Sequence, residues 1–187
     1  MDSADRKGIT IMNYADIKQY DVANGPGVRV SVFVSGCTHY CKGCFNEEAW
    51  DFNFGKAFTE ETIEEIIKYL EPSYVKGLTV LGGEPMEPQN QPAVSALLKK
   101  VKEAYPEKSI WLFSGYDFEK DILDRMWEEL PETREILSCL EVLVDGEFVE
   151  ALKNLSLRFK GSYNQRTILV QESLAAGQIV LYDLEQK

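Results

Sequence analysis

Three cysteines, Cys37, Cys41 and Cys44, fall within eight residues in the spacing C-x3-C-x2-C. Three thiolates on one short loop suit soft-metal chemistry, iron–sulfur centres above all. They can hold three irons of a [4Fe–4S] cluster. The loop brings no fourth cysteine, so the fourth iron would be open to a small molecule. The competing readings are a zinc site completed by His39 and a group of unligated thiols. A C-x-H-x-C arrangement as tight as Cys37–His39–Cys41 fits a tetrahedral zinc site poorly.

The elements that must position this loop are readable around it. Val28, Val30, Val32 and Val34 alternate with period two, which predicts a strand ended by Ser35-Gly36. Asn24-Gly25-Pro26-Gly27 is a turn before it. Trp50, Phe52 and Phe54 lie in an irregular stretch that would cover the metal site or a core edge. Thr59 reads as the N-cap of a helix bearing Ile63, Ile66, Ile67 and Leu70. Leu78–Leu81 is a short buried-type strand running into Gly82-Gly83-Glu84-Pro85. A second helix carries Val94, Leu97, Leu98 and Val101, and Ile110–Phe113 is a strand followed by Ser114-Gly115-Tyr116. Asp117 caps a third helix that stops near Pro131, and Val142–Val144 is a strand followed by Asp145-Gly146. Leu155–Phe159, Ile179–Leu181 and Ile9–Met12 are weaker strand candidates.

Strands alternating with helices predict a parallel-sheet α/β architecture. The cysteines, GGEP, SGY and DG each follow a strand's C-terminal end, and such ends share one ligand-binding face. About five or six mainly parallel strands are too few for a closed eight-stranded barrel, so a partial, open β/α barrel is expected. Residues 1–12 read as a frayed N-terminal extension and residues 13–187 as one domain.

The chain has 187 residues and a formal net charge of −11, which disfavours non-specific binding to nucleic acid or anionic membrane. No apolar run approaches membrane-spanning length and the start lacks a signal-peptide core. The clustered cysteines point to a reducing, cytoplasmic setting. With His39 as the single histidine, set among cysteines, a Ser–His–Asp or Cys–His hydrolase is improbable.

C-x3-C-x2-C after the first strand with GGEP after the second resembles the radical S-adenosylmethionine (SAM) superfamily. NGPGVRVSVFVSGCTHYCKGCFN, GGEPMEPQN, WLFSGY, VLVDGEF and KGSYNQR together resemble, within it, the anaerobic ribonucleoside-triphosphate reductase-activating proteins. The likeness runs from about Asn13 to near Leu181. It implies that Cys37, Cys41 and Cys44 ligate one [4Fe–4S] cluster whose open iron is chelated by SAM. Reductive cleavage would give methionine and a 5′-deoxyadenosyl radical, which would take a hydrogen from a glycine of the large reductase chain. No catalytic side chain beyond the cluster ligands is implied, and an electron donor such as flavodoxin or ferredoxin is.

For SAM itself, the likeness implies backbone contact to the methionyl amino group at Gly82 and Gly83, where side-chain-free residues suit close approach. Glu84 would assist the ammonium or anchor its loop. Gly43, Cys44 and Phe45 fall where family members contact the adenosyl group. Many superfamily members carry an aromatic at the Gly43 position, which leaves adenine contact to Phe45 or to backbone. Ser114 and Asp145 would serve the ribose or methionyl end, or only bond locally at strand ends. Cys139 reads as a buried structural cysteine. The alternatives are a small-molecule radical enzyme similar to 7-carboxy-7-deazaguanine synthase, an iron–sulfur electron carrier, and a zinc-stabilised interaction module.

Overall fold

A computed structural model describes residues 12–184. Its centre is β2 (Val28–Val34), the strand that delivers the cysteine loop. Val30, Val32 and Val34 are fully buried beneath helices, while Phe33 points to the opposite face of the sheet and lines a cavity there. β4 (Val75–Gly82) lies parallel to β2, with Val30 opposite Leu78 and Val34 opposite Gly82. β5 (Ser109–Phe113) and β6 (Val142–Asp145) continue in parallel. The loops after all four strands therefore open at one edge of the sheet, as the order of motifs predicts.

The flanks correct the expected architecture. β1 (Asn13–Asp21) runs antiparallel to β2, and β3 (Lys56–Ala57) antiparallel to β1. β7 (Arg166–Leu169) runs antiparallel to β6. The result is an open, mixed seven-stranded sheet in the order β3-β1-β2-β4-β5-β6-β7, not a partial barrel of mainly parallel strands. Connection length is the physical reason at β1. Only residues 22–27 join it to β2, too few for the crossover that a parallel pair requires. Between β6 and β7 the chain returns through an irregular arm, residues 146–165, that contains one short 3-10 turn and no α-helix.

Helices cover one face. α1 (Glu60–Leu70) starts at Thr59, whose side chain accepts from the Thr62 N–H while the Thr59 N–H donates to Thr62 Oγ1. It buries Ile63, Ile66 and Leu70. α2 (Gln91–Ala104) buries Val94, Leu97, Leu98 and Val101. The third helix is π-helical over Phe118–Met126 and passes into α3 (Trp127–Glu129). Pro131, expected only as its stop, occupies the first turn of α4 (Pro131–Cys139). Cys139 is buried in the main core, and α5 (Val170–Ala176) follows β7 directly.

The other face carries a smaller core of Trp111, Val142 and Val144 under Phe159, Leu169 and Tyr182. Arg29 is buried there at 1% exposure. Its guanidinium donates to Thr79 Oγ1, Ser109 Oγ and the Leu78 and Ser109 carbonyls, tying β2, β4 and β5 together. Leu155–Phe159 forms no strand, and Ile179–Leu181 contributes only a bridge from Leu181 to Ile168. The Ile9–Met12 candidate lies outside the described residues except for Met12, which is buried. Among the described residues no helix is long and apolar enough to cross a membrane.

Candidate metal centre

The cysteine loop and the GGEP loop lie side by side at the ends of β2 and β4. Gly83 N–H donates to the Val34 carbonyl (2.7 Å) and Glu84 N–H to the Gly36 carbonyl (2.8 Å). Gly36 N–H donates to the Ala49 carbonyl (2.8 Å), and Cys37 N–H to the Trp50 carbonyl (3.1 Å). Buried Asn90 closes the pair, donating to the Ser35 (3.0 Å) and Glu84 (2.9 Å) carbonyls. The approach leaves no room at Gly83: a Cβ there would sit 2.6 Å from the Gly36 oxygen and 2.8 Å from the Ala49 oxygen.

Side chains hold the segment between the first two cysteines. Glu87 Oε1 accepts from both the Thr38 N–H (2.7 Å) and the Thr38 hydroxyl (2.6 Å). His39 Nε2 lies 3.0 Å from Glu84 Oε2, and His39 Nδ1 lies 2.8 Å from Glu147 Oε1. Burial opposes a charge on this ring, but hydrogen bonds and charge from Glu84 and Glu147 outweigh it and push its pKa up to about 9. With both nitrogens engaged, His39 is not free to complete a Cys3His zinc site.

The three cysteines line one cavity of about 460 Å³. Phe45, Gly82, Gly83, Glu84 and Ser114 line it too, together with Trp50. Gly43 and Asp145 are not in the lining. Gly43 faces the Glu150 side chain. Asp145 is buried at 1% exposure, where its carboxylate accepts from Arg166 Nε (3.0 Å), Arg166 Nη2 (2.5 Å) and the Phe118 N–H (2.9 Å). Both oxygens of Glu84 are also occupied: Oε1 accepts from the Met86 N–H (2.8 Å), and Oε2 from the Gly115 N–H (2.7 Å) besides facing His39.

The donor set fits an iron–sulfur cluster. All three thiols are free. The Asn46 N–H points at Cys44 Sγ (3.4 Å), as backbone N–H groups do toward cluster sulfurs. Among the described residues no three or more His, Cys, Asp or Glu groups converge on a point that one metal ion would occupy. A cluster places each thiolate on a different iron, so it needs no such convergence. Burial pushes the Cys37 thiol up to about 12, with Glu84 and Glu87 adding to it, and burial also raises Cys41. Binding iron must therefore expel protons from these thiols.

Sequence reasoning did not find part of the wall. Lys18 and Asn24 enter the cavity from the β1–β2 side. Phe148, Leu155, Leu157, Phe159 and Lys160 close it from the arm. An irregular arm has no periodicity to announce it. His39 was visible as the chain's single histidine, but its carboxylate partners lie 45 and 108 residues away.

Comparison with known proteins points to an iron–sulfur family. The family described as a 4Fe-4S single cluster domain matches residues 23–168. An anaerobic ribonucleoside-triphosphate reductase-activating protein of Enterobacteria phage T4 is 43% identical over 155 residues, covering 83% of this chain and 92% of the relative. Proteins of the same name from Vibrio cholerae and Escherichia coli are 40% and 38% identical, each covering 82% of this chain and 96% of the relative. The chain belongs to the family of anaerobic ribonucleoside-triphosphate reductase-activating proteins.

Proposed function

We propose that the chain is a radical SAM enzyme that generates a glycyl radical on the large chain of an anaerobic ribonucleoside-triphosphate reductase. The observation that carries this reading is three free thiols and Gly82, Gly83 and Glu84 lining one cavity. The reductase in the relatives' names supplies the partner. Cys37, Cys41 and Cys44 would hold the cluster. When bound, a reduced cluster would supply one electron to the sulfonium of SAM, whose S–C5′ bond would break to methionine and a 5′-deoxyadenosyl radical able to take hydrogen from a glycine of the partner.

The chain's own residues bind, orient and exclude water. Gly82 and Gly83 line the cavity, where their carbonyls would accept from a methionyl amino group, and their missing side chains let this segment pack against the backbone that leads to the cysteines. Phe45, 63% exposed, rests against Phe148 and offers a flat apolar surface to an adenine. Ser114 lines the same cavity with a hydroxyl. Trp50, Phe113 and Phe148 keep its walls apolar, which limits water around a reactive radical. The electron would come from a flavodoxin or ferredoxin.

The test is an anaerobic assay of reconstituted protein with SAM and a reductant, with and without the large reductase chain. Expected are 5′-deoxyadenosine and a persistent glycyl-type doublet in the electron paramagnetic resonance spectrum that needs the reductase. Cleavage without a doublet overturns the partner assignment. A loaded cluster that cleaves no SAM overturns the radical chemistry and favours an electron carrier.

A further inference from the structure

The chain between Cys37 and Cys41 turns without a hydrogen-bond ladder of its own. Among the described residues, Thr38, His39 and Tyr40 make no backbone–backbone hydrogen bond. Tyr40 has φ +50, in the left-handed region that a tyrosine side chain disfavours. Such a turn persists only where its surroundings over-determine it.

Those surroundings converge on the His39 ring. Glu84 Oε2 meets one nitrogen and Glu147 Oε1 the other. Tyr116 stands edge-on at 4.4 Å between ring centroids. Gly115 packs so closely that a Cβ there would lie 2.7 Å from the ring. Glu84 is itself fixed by the Met86 and Gly115 N–H groups. One imidazole thus joins the cysteine loop to the loops that follow β4, β5 and β6.

We propose that His39 is the positioning residue of the three-cysteine loop. Braced between Glu84 and Glu147, it holds the left-handed turn at Tyr40 and so sets Cys37 and Cys41 relative to each other. On this assignment Glu84 acts through His39 and not as a direct partner of SAM. The proposal rests on the iron–sulfur reading of the site.

The test needs neither SAM nor the reductase. Wild type, His39→Leu, His39→Gln, Glu147→Ala and Glu147→Gln are reconstituted anaerobically. Iron per chain, the rate of iron loss to a chelator, the reduced-cluster resonance spectrum and its midpoint potential are then measured. His39→Leu is expected to lose iron about 10–100-fold faster than wild type, with an altered spectrum and potential. Glu147→Ala moves in the same direction, while Glu147→Gln, which keeps an acceptor for the ring, restores wild-type behaviour. Melting of the metal-free Glu147 variants stays close to wild type, because Glu147 is more than half exposed, and this separates positioning from a general loss of stability. If His39→Leu does not fold, His39→Gln and the Glu147 pair carry the same comparison. Wild-type rate, spectrum and potential in the His39 variants, or in Glu147→Ala, overturn the proposal. A wild-type chain that takes up no cluster overturns the iron–sulfur reading as well, a result readily told apart from the first.

Discussion

Replacing Gly83 with alanine is the most direct probe of how the site is assembled. Gly83 does not have a left-handed φ, so alanine brings no backbone strain of that kind and the effect isolates contact. The added carbon would lie 2.6 Å from the Gly36 oxygen, 2.8 Å from the Ala49 oxygen and 3.0 Å from the Gly36 nitrogen. All three are backbone atoms, so no side chain can swing aside. Relief requires the cysteine loop and the GGEP loop to part by several tenths of an ångström. The bonds Glu84 N–H to Gly36 and Gly36 N–H to Ala49 lie at the point of parting. Losing both removes about 2 kcal/mol, taking ~1 kcal/mol for each. Overpacking adds about 1–3 kcal/mol. The sum, about 3–5 kcal/mol, corresponds to a fall in melting temperature of about 10 °C for a chain of this size. The assay is thermal unfolding of the metal-free protein, followed by iron content and 5′-deoxyadenosine formed per cluster. Gly177→Ala is the control. Its φ is +65, but nothing lies within 4 Å of the added carbon, so it loses only the backbone preference, about 1 kcal/mol. A Gly83→Ala protein that melts within about 2 °C of wild type and loads and turns over normally would refute the close packing of the two loops.

Alanine at Cys37, Cys41 or Cys44 is expected to abolish SAM cleavage, whereas Cys139→Ala keeps cluster and turnover and loses about 1 kcal/mol from the core, read by iron analysis and melting. Arg29→Met strands four acceptors beneath the sheet and is expected to destabilise by about 3 kcal/mol in urea unfolding; an unchanged midpoint would show that these bonds contribute nothing net. Arg166→Leu leaves buried Asp145 without its counter-ion and is expected to cost about 3–5 kcal/mol by the same measurement, while an effect under about 1 kcal/mol would refute the pairing. In the metal-free protein Cys37 should resist alkylation at pH 8 and gain reactivity as pH rises toward 12, because only the thiolate reacts and burial keeps the thiol protonated; rapid labelling of Cys37 at pH 8 would contradict this.

What was legible in the sequence was whatever is written in short-range pattern. Four alternating valines announced β2, and Thr59 with its helical apolar face announced α1. The cysteine spacing and GGEP picked out two loops that the fold brings side by side at the ends of β2 and β4. Strand direction was not legible, because period-two alternation is the same in parallel and antiparallel strands. β1 is largely polar and half-buried, so NYADIKQYD carries little apolar signal. Its presence beside β2 turned the expected barrel into a mixed sheet. The partners of His39 were hidden for a different reason: Glu84 and Glu147 meet it only after β4, β5 and β6 align.

The cavity has two walls of unlike construction, and this sets their clocks apart. β2 is an interior strand, hydrogen-bonded along both edges to β1 and β4. Amides of such a strand exchange with solvent only when the whole domain opens. The arm opposite is stitched by few backbone bonds, among them Asn154 to Gly161 and Tyr163 to Leu152, and Leu155 stands 84% exposed on it. In deuterium the arm should label in local openings long before the wall that bears the cysteines. The cavity can then admit a bulky guest by yielding around exposed Leu155, while Glu147, two residues beyond β6, keeps its bond to His39 and the thiols keep their places.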